Sequence, residues 1–164
     1  MDLIDAATVP LRPVRNTDGD GLIDLIGSCW AEYPGLVMDV DAELPHLRAI
    51  AAAYAGWGGR AWVAEAGGHV VGSVGVVPAG DTAVELRMLY VRASARRAGL
   101  GARLLGLAEQ SARRAGAERA ELWTDTRFAA AHRFYERNGY LRGPDTRTLH
   151  DLSGSVEFFY SKPL

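Results

Sequence analysis

The segment from residue 82 to residue 125 constrains the fold more than any other part of the chain. It begins with the strand-like run "TAVELRMLYV", continues into "GLGARLLGLAEQSARRAG", and returns to a strand-like run in "AERAELWTD". Leucines at helical spacing give the middle run one apolar face that can pack against a sheet. Two strands of one sheet that are joined by such a helix run parallel. We therefore predict one parallel pair of strands around this crossover.

The rest of the chain supplies further strands and helices in a mixed order. Short connections separate the β-branched runs that precede the crossover, which indicates an antiparallel meander. The predicted strands outside the crossover are "VPLRPVR", "RAWVAE", "HVVGSVGVVP" and "EFFYSKPL". The predicted helices outside it are "TDGDGLIDLIGSCW", "AELPHLRAIAAAYAG" and "TRFAAAHRFYERNG". We expect an α+β fold with a single mixed, mostly antiparallel sheet of six to seven strands and about four helices.

The composition favours a single domain over residues 1–164 and argues against several function classes. Of the 164 residues, 48% are hydrophobic, which is enough for one buried core. A net charge of −2 and a pI near 6.1 argue against binding to nucleic acid. Cys29 is the only cysteine and the four histidines lack ligand spacing, so we expect neither a disulfide nor a metal site. The sequence has no long apolar run and no basic leader, so we expect a cytoplasmic protein that does not enter a membrane. Its many arginines and alanines lead us to expect a bacterial source.

The turn "RRAGLG", residues 96–101, is the strongest candidate for a ligand site. The first turn of a helix has unpaired N–H groups and the positive end of the helix dipole, and glycines let an anion approach the backbone. Ala102 and Arg103 stand where an ATP-binding Walker A loop has Lys and Ser or Thr. Leu104 stands where a dinucleotide-binding motif has its third glycine. The residues therefore predict a site for a diphosphate that belongs to neither ATP nor NAD.

Three further segments accompany this turn: "ELRMLYV" before it, "AHRFYERNGY" after it and "LRPVRNTDGDGLIDLI" near the N-terminus. The turn itself matches the pattern Q/R-x-x-G-x-G/A, as "RRAGLG" after "VRA". With these segments, the chain resembles the GCN5-related N-acetyltransferase (GNAT) family over nearly its whole length. The resemblance implies the GNAT fold, whose sheet is splayed between strands 4 and 5, here beyond Leu89. It also implies acetyl-CoA as the co-substrate and no metal.

The resemblance assigns the donor site to two neighbouring segments. Backbone amides of the turn bind the pyrophosphate of coenzyme A in the family, and the matching residues are Arg96, Arg97, Ala98, Gly99, Leu100, Gly101 and Ala102. The end of the fourth strand pairs its backbone with the pantetheine arm, and it corresponds to Leu89, Tyr90 and Val91. Two positions depart from the family's pattern, because Ala93 replaces a proline and Phe128 replaces an asparagine.

Tyr135 and Glu85 are the candidate catalytic residues. The resemblance places Tyr135, in "FYERNGY", near the coenzyme sulfur, where its phenol could protonate the departing thiolate. A helix tyrosine can equally pack in the core. Glu85, in the fourth strand, could remove a proton from the ammonium substrate or could face solvent. The amine would attack the thioester directly in a ternary complex.

Loops around the donor site are expected to select the acceptor, a primary amine of a small molecule or a peptide. Tyr33, Asp39 and Asp41 offer an aromatic ring and two carboxylates suited to a cation, and "RTLHDLSGS" is a second candidate segment. The alternative function is a non-catalytic acyl-CoA-binding sensor or partner module. The segment "VEFFYSKPL" is a candidate sheet edge for pairing in a homodimer.

Overall fold

One mixed sheet of seven strands runs through the structure, a computed structural model that describes residues 4–164. The strands are β1 (Leu11–Pro13), β2 (Arg60–Ala66), β3 (His69–Pro78), β4 (Ala83–Val91), β5 (Arg119–Asp125), β6 (Leu141–Thr148) and β7 (Val156–Pro163). Their order across the sheet is β1-β2-β3-β4-β5-β7-β6. Only β4 and β5 pair in parallel, and the other neighbouring strands are antiparallel. This topology confirms the predicted α+β class and its mostly antiparallel sheet.

The residues that the structure describes form five α-helices, one more than the sequence predicts. They are α1 (Gly19–Trp30), α2 (Val40–Glu43), α3 (Ile50–Gly56), α4 (Leu100–Arg114) and α5 (Ala129–Arg137). Helices α4 and α5 contribute to a core on one face of the sheet, around Leu104, Leu122 and Tyr160. Helices α1 and α3 contribute to a second core on the other face, around Leu25 and Ile50. Two apolar layers therefore hold the sheet between them.

The predicted parallel crossover is present, with α4 connecting β4 to β5. The two strands pair Ala83 with Arg119 and Glu85 with Glu121, and their register ends there. The strands therefore separate after Glu85, and not beyond Leu89 as the resemblance implied. The sheet opens between two strands that both continue past their last shared residue pair.

A β-bulge in β4 explains why that strand stays with β3 while it leaves β5. Gly75 of β3 faces Arg87 and Ser73 faces Tyr90, so β4 has one more residue than β3 over this interval. Met88 within the bulge has a left-handed backbone with φ +58°. The buried Ser73 hydroxyl donates to the Met88 carbonyl over 2.6 Å. This hydrogen bond stabilises a conformation that is uncommon for a side chain such as methionine.

The predicted helix over residues 42–56 is broken into α2, a 3₁₀ turn over Pro45–Ala49, and α3. Proline has no N–H to donate, and it disfavours helical backbone in the residue before it. Leu44 accordingly adopts φ −130° and ψ 37°. The break leaves His46 in the turn between the two helices.

The sequence pattern does not predict β6, because "LRGPDTRT" is polar and contains a Gly-Pro pair. In the structure β6 is the outermost strand, and β7 lies between β5 and β6. The prediction that "VEFFYSKPL" forms a free sheet edge is therefore wrong, since both sides of β7 are paired.

We expect Gly75→Ala to lower the free energy of unfolding by about 1–3 kcal/mol, because an added Cβ would overlap the Tyr54 hydroxyl and ring. Tyr54 is buried, so its ring has little room to move. Urea denaturation followed by circular dichroism measures the change.

The matched control for this variant is Gly106→Ala in α4, where an added Cβ meets no atom within 4 Å. We expect this change to raise the free energy of unfolding by about 0.5–1 kcal/mol, because alanine favours the helix. If Gly75→Ala were as stable as the wild-type protein, the proposed close packing of Tyr54 on β3 would be incorrect.

Candidate active site

The glycine turn has six consecutive backbone N–H groups, those of residues 97–102, that find no hydrogen-bond acceptor in the described part of the chain. The first paired amide of α4 belongs to Arg103, which donates to the Gly99 carbonyl over 3.0 Å. Arg97 and Gly99 adopt left-handed backbone with φ +66° and +85°, a conformation typical of anion-binding turns. A Cβ placed at Gly99 would meet no atom within 4 Å. The turn is therefore an exposed set of donors that a diphosphate could fill.

Arg96 lies at the edge of this set and is engaged elsewhere. Its backbone N–H donates to the Ala93 carbonyl over 3.3 Å. Its guanidinium forms a two-point ion pair with Glu32, over 2.6 and 2.8 Å, and its Nε donates to the Val91 carbonyl over 2.9 Å. In the described structure, Arg97 has no ion-pair partner. The side-chain charge free to face an anion at the turn therefore comes from Arg97.

The end of β4 borders the opening between β4 and β5. The Arg92 N–H donates to the Val71 carbonyl of β3 over 2.8 Å. Backbone groups alternate in direction along a strand, so those of Leu89 and Val91 face away from β3 and towards the opening. The backbone groups of Tyr90 face the other way, towards β3. The Tyr90 side chain lines a separate cleft. Of the three residues predicted to pair with a pantetheine arm, Leu89 and Val91 have backbone groups that face the opening, although the Val91 carbonyl already accepts from Arg96 Nε over 2.9 Å.

Tyr135 lies in α5 and is only 8% exposed. Its ring contacts those of Tyr140 and Tyr160, with centroids 5.8 and 6.2 Å away. Within residues 4–164 its hydroxyl makes no hydrogen bond. Burial, with a smaller contribution from Tyr90, raises the pKa of Tyr135 above that of a free phenol. The hydroxyl is therefore protonated at neutral pH and can donate a hydrogen bond to a thiolate as it forms.

Glu85 does not face open solvent. Its carboxylate accepts two hydrogen bonds from Arg87, from Nε over 3.1 Å and from Nη2 over 3.3 Å. The Glu85 side chain is 19% exposed. Its role as a general base stays a prediction, and any proton that it accepts must compete with this ion pair.

A cleft of about 190 Å³ lies between β4 and the elements that cover this face of the sheet, α1, α3 and the turn that precedes α3. Its polar and aromatic lining residues are Trp30, His46, Tyr54, Trp57, Arg87 and Tyr90. The Trp30 indole donates to the Tyr90 hydroxyl over 3.0 Å. Burial raises the pKa of Tyr90 to about 12. The cleft and the opening share strand β4, since Tyr90 lies between Leu89 and Val91 along it.

Three aromatic contacts organise the outer part of this cleft around Trp57. The rings of His46 and Tyr54 each lie 5.3 Å from the Trp57 ring in edge-to-face geometry. The Arg87 guanidinium lies 5.6 Å from the same ring. Burial, and then the nearby charge of Arg87, lower the pKa of His46. His46 is therefore neutral at pH 7.

The residues predicted to bind the acceptor lie outside this cleft. Asp39 caps α2 by accepting the Ala42 N–H over 3.0 Å. Asp41 is exposed and pairs with Arg48 over 2.9 Å. Tyr33 packs on Phe128 with ring centroids 4.8 Å apart. Acceptor binding by these three residues stays a prediction that the cleft geometry does not favour.

The two loops predicted to select the acceptor are brought together by the fold. The Val37 N–H donates to the Ser153 hydroxyl over 2.8 Å, and the Leu152 N–H donates to the Glu43 carboxylate over 2.9 Å. Selection of the acceptor by these loops stays a prediction. The sequence reasoning did not single out His46 and Arg87, which line the cleft. A signal for Arg87 existed, since the alternation of a strand places it on the same face as Glu85.

Neither a membrane-spanning helix nor a metal cluster is found among residues 4–164. No helix in this range is long and apolar enough to cross a membrane. No group of three His, Cys, Asp or Glu side chains in it is arranged to hold a metal ion. Cys29 is buried, and its burial raises the pKa of the thiol.

Known proteins of similar fold share most of this chain's length. An acetyltransferase of the GNAT family from Staphylococcus aureus Mu50 is 21% identical, with a TM-score of 0.81 over 96% of this chain and 99% of that one. An acetyltransferase from Streptococcus agalactiae 2603 is 23% identical, with a TM-score of 0.82 over 95% of this chain and 98% of that one. The PaiA N-acetyltransferase from Thermoplasma acidophilum, whose structure is in complex with coenzyme A, is 17% identical, with a TM-score of 0.76 over 96% and 99% of the two chains. The TM-scores of 0.76 to 0.82 show that these proteins share the fold of this chain.

Sequence comparison adds a family and one curated relative. An aminoalkylphosphonate N-acetyltransferase from Salmonella typhimurium is 46% identical over 56 residues, which are 34% of this chain and 36% of that protein. The match therefore spans about a third of the relative's length. The model of the acetyltransferase (GNAT) family matches residues 23–140, the range that contains the glycine turn, both strands of the opening and Tyr135. The chain therefore belongs to the GNAT family of acetyltransferases.

Proposed function

We propose that this protein transfers the acetyl group of acetyl-CoA to a primary amine of a small molecule, by direct attack in a ternary complex. The observation that carries the proposal is the row of six unpaired N–H groups at residues 97–102, next to the opening between β4 and β5. Backbone donors at a helix N-terminus are suited to a pyrophosphate. The neighbouring strand edge is suited to an extended arm that carries amide groups.

The donor site fits coenzyme A in both charge and shape. The open space above Gly99 lets a phosphate approach the backbone, and the Arg97 guanidinium adds a positive charge there. The groups of Leu89 and Val91 that face the opening can hydrogen-bond an arm that lies along β4. The Thermoplasma acidophilum relative in complex with coenzyme A supports the same donor for this chain.

The transfer step requires one bond to form and one to break. The neutral amine attacks the thioester carbonyl, a nitrogen–carbon bond forms, and the carbon–sulfur bond breaks to release a thiolate. Tyr135 donates its hydroxyl proton to the sulfur as negative charge develops there. The attacking nitrogen loses its proton to water or to Glu85. A proton on the Glu85 carboxylate would compete with the hydrogen bonds that this carboxylate accepts from Arg87.

The size of the cleft and the curated relative both support a small acceptor. The volume of about 190 Å³ is below the range of roughly 300–1,000 Å³ that is typical for drug-sized ligands. The relative from Salmonella typhimurium is named for N-acetylation of an aminoalkylphosphonate, which is itself a small amine. We therefore favour a small molecule over a peptide as the acceptor.

We expect Gly99→Val to weaken acetyl-CoA binding by at least about 100-fold, because its side chain would fill the space above the N–H donors and remove two or more hydrogen bonds to charged oxygens. Titration calorimetry with acetyl-CoA measures the affinity. The control is Gly116→Val at the other end of α4, where φ is +87° and the space is equally open.

Both valine variants strain a left-handed residue and should lose a similar free energy of unfolding, about 1–2 kcal/mol. Only the change at residue 99 should affect the ligand. Equal acetyl-CoA affinity in the two folded variants would overturn the assignment of the glycine turn.

We expect Tyr135→Phe to lower kcat by at least about 10-fold while the dissociation constant of acetyl-CoA changes by less than about two-fold. Removal of the hydroxyl breaks no hydrogen bond within residues 4–164, so the packing of α5 should be preserved. Thiol release in the presence of a panel of amines measures kcat.

Tyr140→Phe is the matched control, since this neighbouring hydroxyl is buried and has no hydrogen-bond partner in the described structure. It should leave kcat unchanged. Unchanged turnover in Tyr135→Phe would remove the acid role. Tight acetyl-CoA binding without turnover of any amine would instead indicate the non-catalytic acyl-CoA-binding module.

A further inference from the structure

Arg87 presents one edge of its guanidinium to the cleft with no partner. Nε and Nη2 are both occupied by the Glu85 carboxylate, over 3.1 and 3.3 Å. Nη1 makes no hydrogen bond to a residue in the range 4–164. The Arg87 side chain lines the cleft and is 43% exposed, so it is not enclosed by its protein neighbours. An arginine with one edge fixed can offer its second edge to a planar or tetrahedral anion.

The orientation of the guanidinium is fixed by its neighbours before any ligand arrives. Trp57 lies under it at 5.6 Å, and Glu85 holds its Nε edge. His46 contacts the same tryptophan ring and is neutral at pH 7 because burial and Arg87 lower its pKa. A guanidinium that is already oriented loses little rotational freedom when it binds a ligand.

The charge of the cleft favours an anion over a cation. Among the described residues that line it, Arg87 is the one with a full charge, and the Glu85 carboxylate just outside the lining balances part of that charge. The two acidic residues that the sequence suggested for a cationic acceptor are held at α2 and at Arg48 instead. No carboxylate in the lining is therefore available to pair with an ammonium group.

We propose that the acceptor carries an anionic group in addition to its amine, and that Arg87 binds this group as the specificity-determining residue. The ligand class is a short amine that bears a carboxylate or a phosphonate. Glu85 is then a positioning residue, which holds Arg87 in place through the ion pair. This inference rests on the proposed function, because its kinetic test measures acetylation of the amine. Binding of the anionic group to Arg87 can be measured without turnover.

The spacing along β4 fits such an acceptor. Arg87 lies two residues before Leu89, and because the bulge at Met88 lies between them, they are closer together than the roughly 7 Å that two residues of regular strand span. Tyr90 and Met88 line the cleft over the same interval. A molecule with two or three carbon atoms between its anion and its amine can therefore contact Arg87 and still reach the opening.

The test compares three acceptors of similar length: β-alanine, aminoethylphosphonate and the neutral aminopropanol. In the wild-type enzyme we expect kcat/KM for at least one anionic amine to exceed that for aminopropanol by about 30-fold or more. A ratio of this size corresponds to the loss of one hydrogen bond between charged groups. In Arg87→Gln this ratio should fall to within about three-fold of unity. The two anionic arms show whether the site prefers the carboxylate or the phosphonate.

Arg119→Gln is the matched control. Arg119 is 55% exposed and pairs with Glu121 two residues along β5, as Arg87 pairs with Glu85 two residues along β4. It lies outside the cleft lining. The preference for anionic acceptors should persist in this variant. Equal use of all three acceptors by the wild-type enzyme, or an unchanged preference in Arg87→Gln, would overturn the proposal.

Glu85→Gln separates a positioning role from a base role. If Glu85 positions Arg87, the variant should raise KM for the anionic acceptor by about 5-fold or more with a smaller change in kcat. If Glu85 is the general base, kcat should instead fall for the anionic and the neutral acceptors alike, which would contradict the positioning role.

Direct binding keeps the inference distinct from the proposed function. If the wild-type protein binds acetyl-CoA but acetylates none of the amines, the proposed function fails. Titration of β-alanine and aminoethylphosphonate into the complex with coenzyme A then decides the inference. Binding that is lost in Arg87→Gln and retained in Arg119→Gln supports it, and binding that is absent or insensitive to Arg87 overturns it.

Discussion

The short pairing between β4 and β5 is the constraint on which the rest of the structure depends. These strands share register only as far as Glu85 and Glu121, although both continue beyond that point. Buried backbone N–H and C=O groups require partners, so an open strand edge inside a protein is a site for a ligand or for water. The extra residue at Met88 lets β4 keep its bonds to β3 while it turns its other edge to the opening.

Strand β4 serves both sides of the proposed reaction because its side chains and backbone groups alternate. Its terminal backbone groups and the following turn form the proposed donor site, and Arg87 and Tyr90 line the cleft proposed for the acceptor. A hydrogen bond from Trp30 to Tyr90 joins α1 to this strand, and an ion pair between Arg96 and Glu32 joins the segments that follow them. The two sites therefore meet at one strand, which is the condition for direct transfer between two bound substrates.

Much of the fold, and the glycine turn of the proposed donor site, could be predicted from contiguous stretches of sequence. The crossover and the turn each occupy one run of residues whose local pattern sets their structure. The pattern failed at Pro45, which divides a predicted helix, and at β6, whose polar composition resembles a loop. The break at Pro45 is a local effect of proline on Leu44, whereas β6 forms because it pairs with β7 despite its own weak propensity.

The family resemblance singled out Tyr135, whose role stays a prediction. The sequence by itself determined most of the order of elements, the parallel crossover and the glycine turn at the start of α4. Each depends on hydrogen bonds or periodicity within a few residues of one another. Only the tertiary structure decided where the sheet opens and which side chains face the acceptor. The cleft assembles His46, Trp57 and Arg87 from three separate elements, and Asp39 and Asp41 point to other partners. Local patterns carry no information about such contacts, because long-range packing alone sets them.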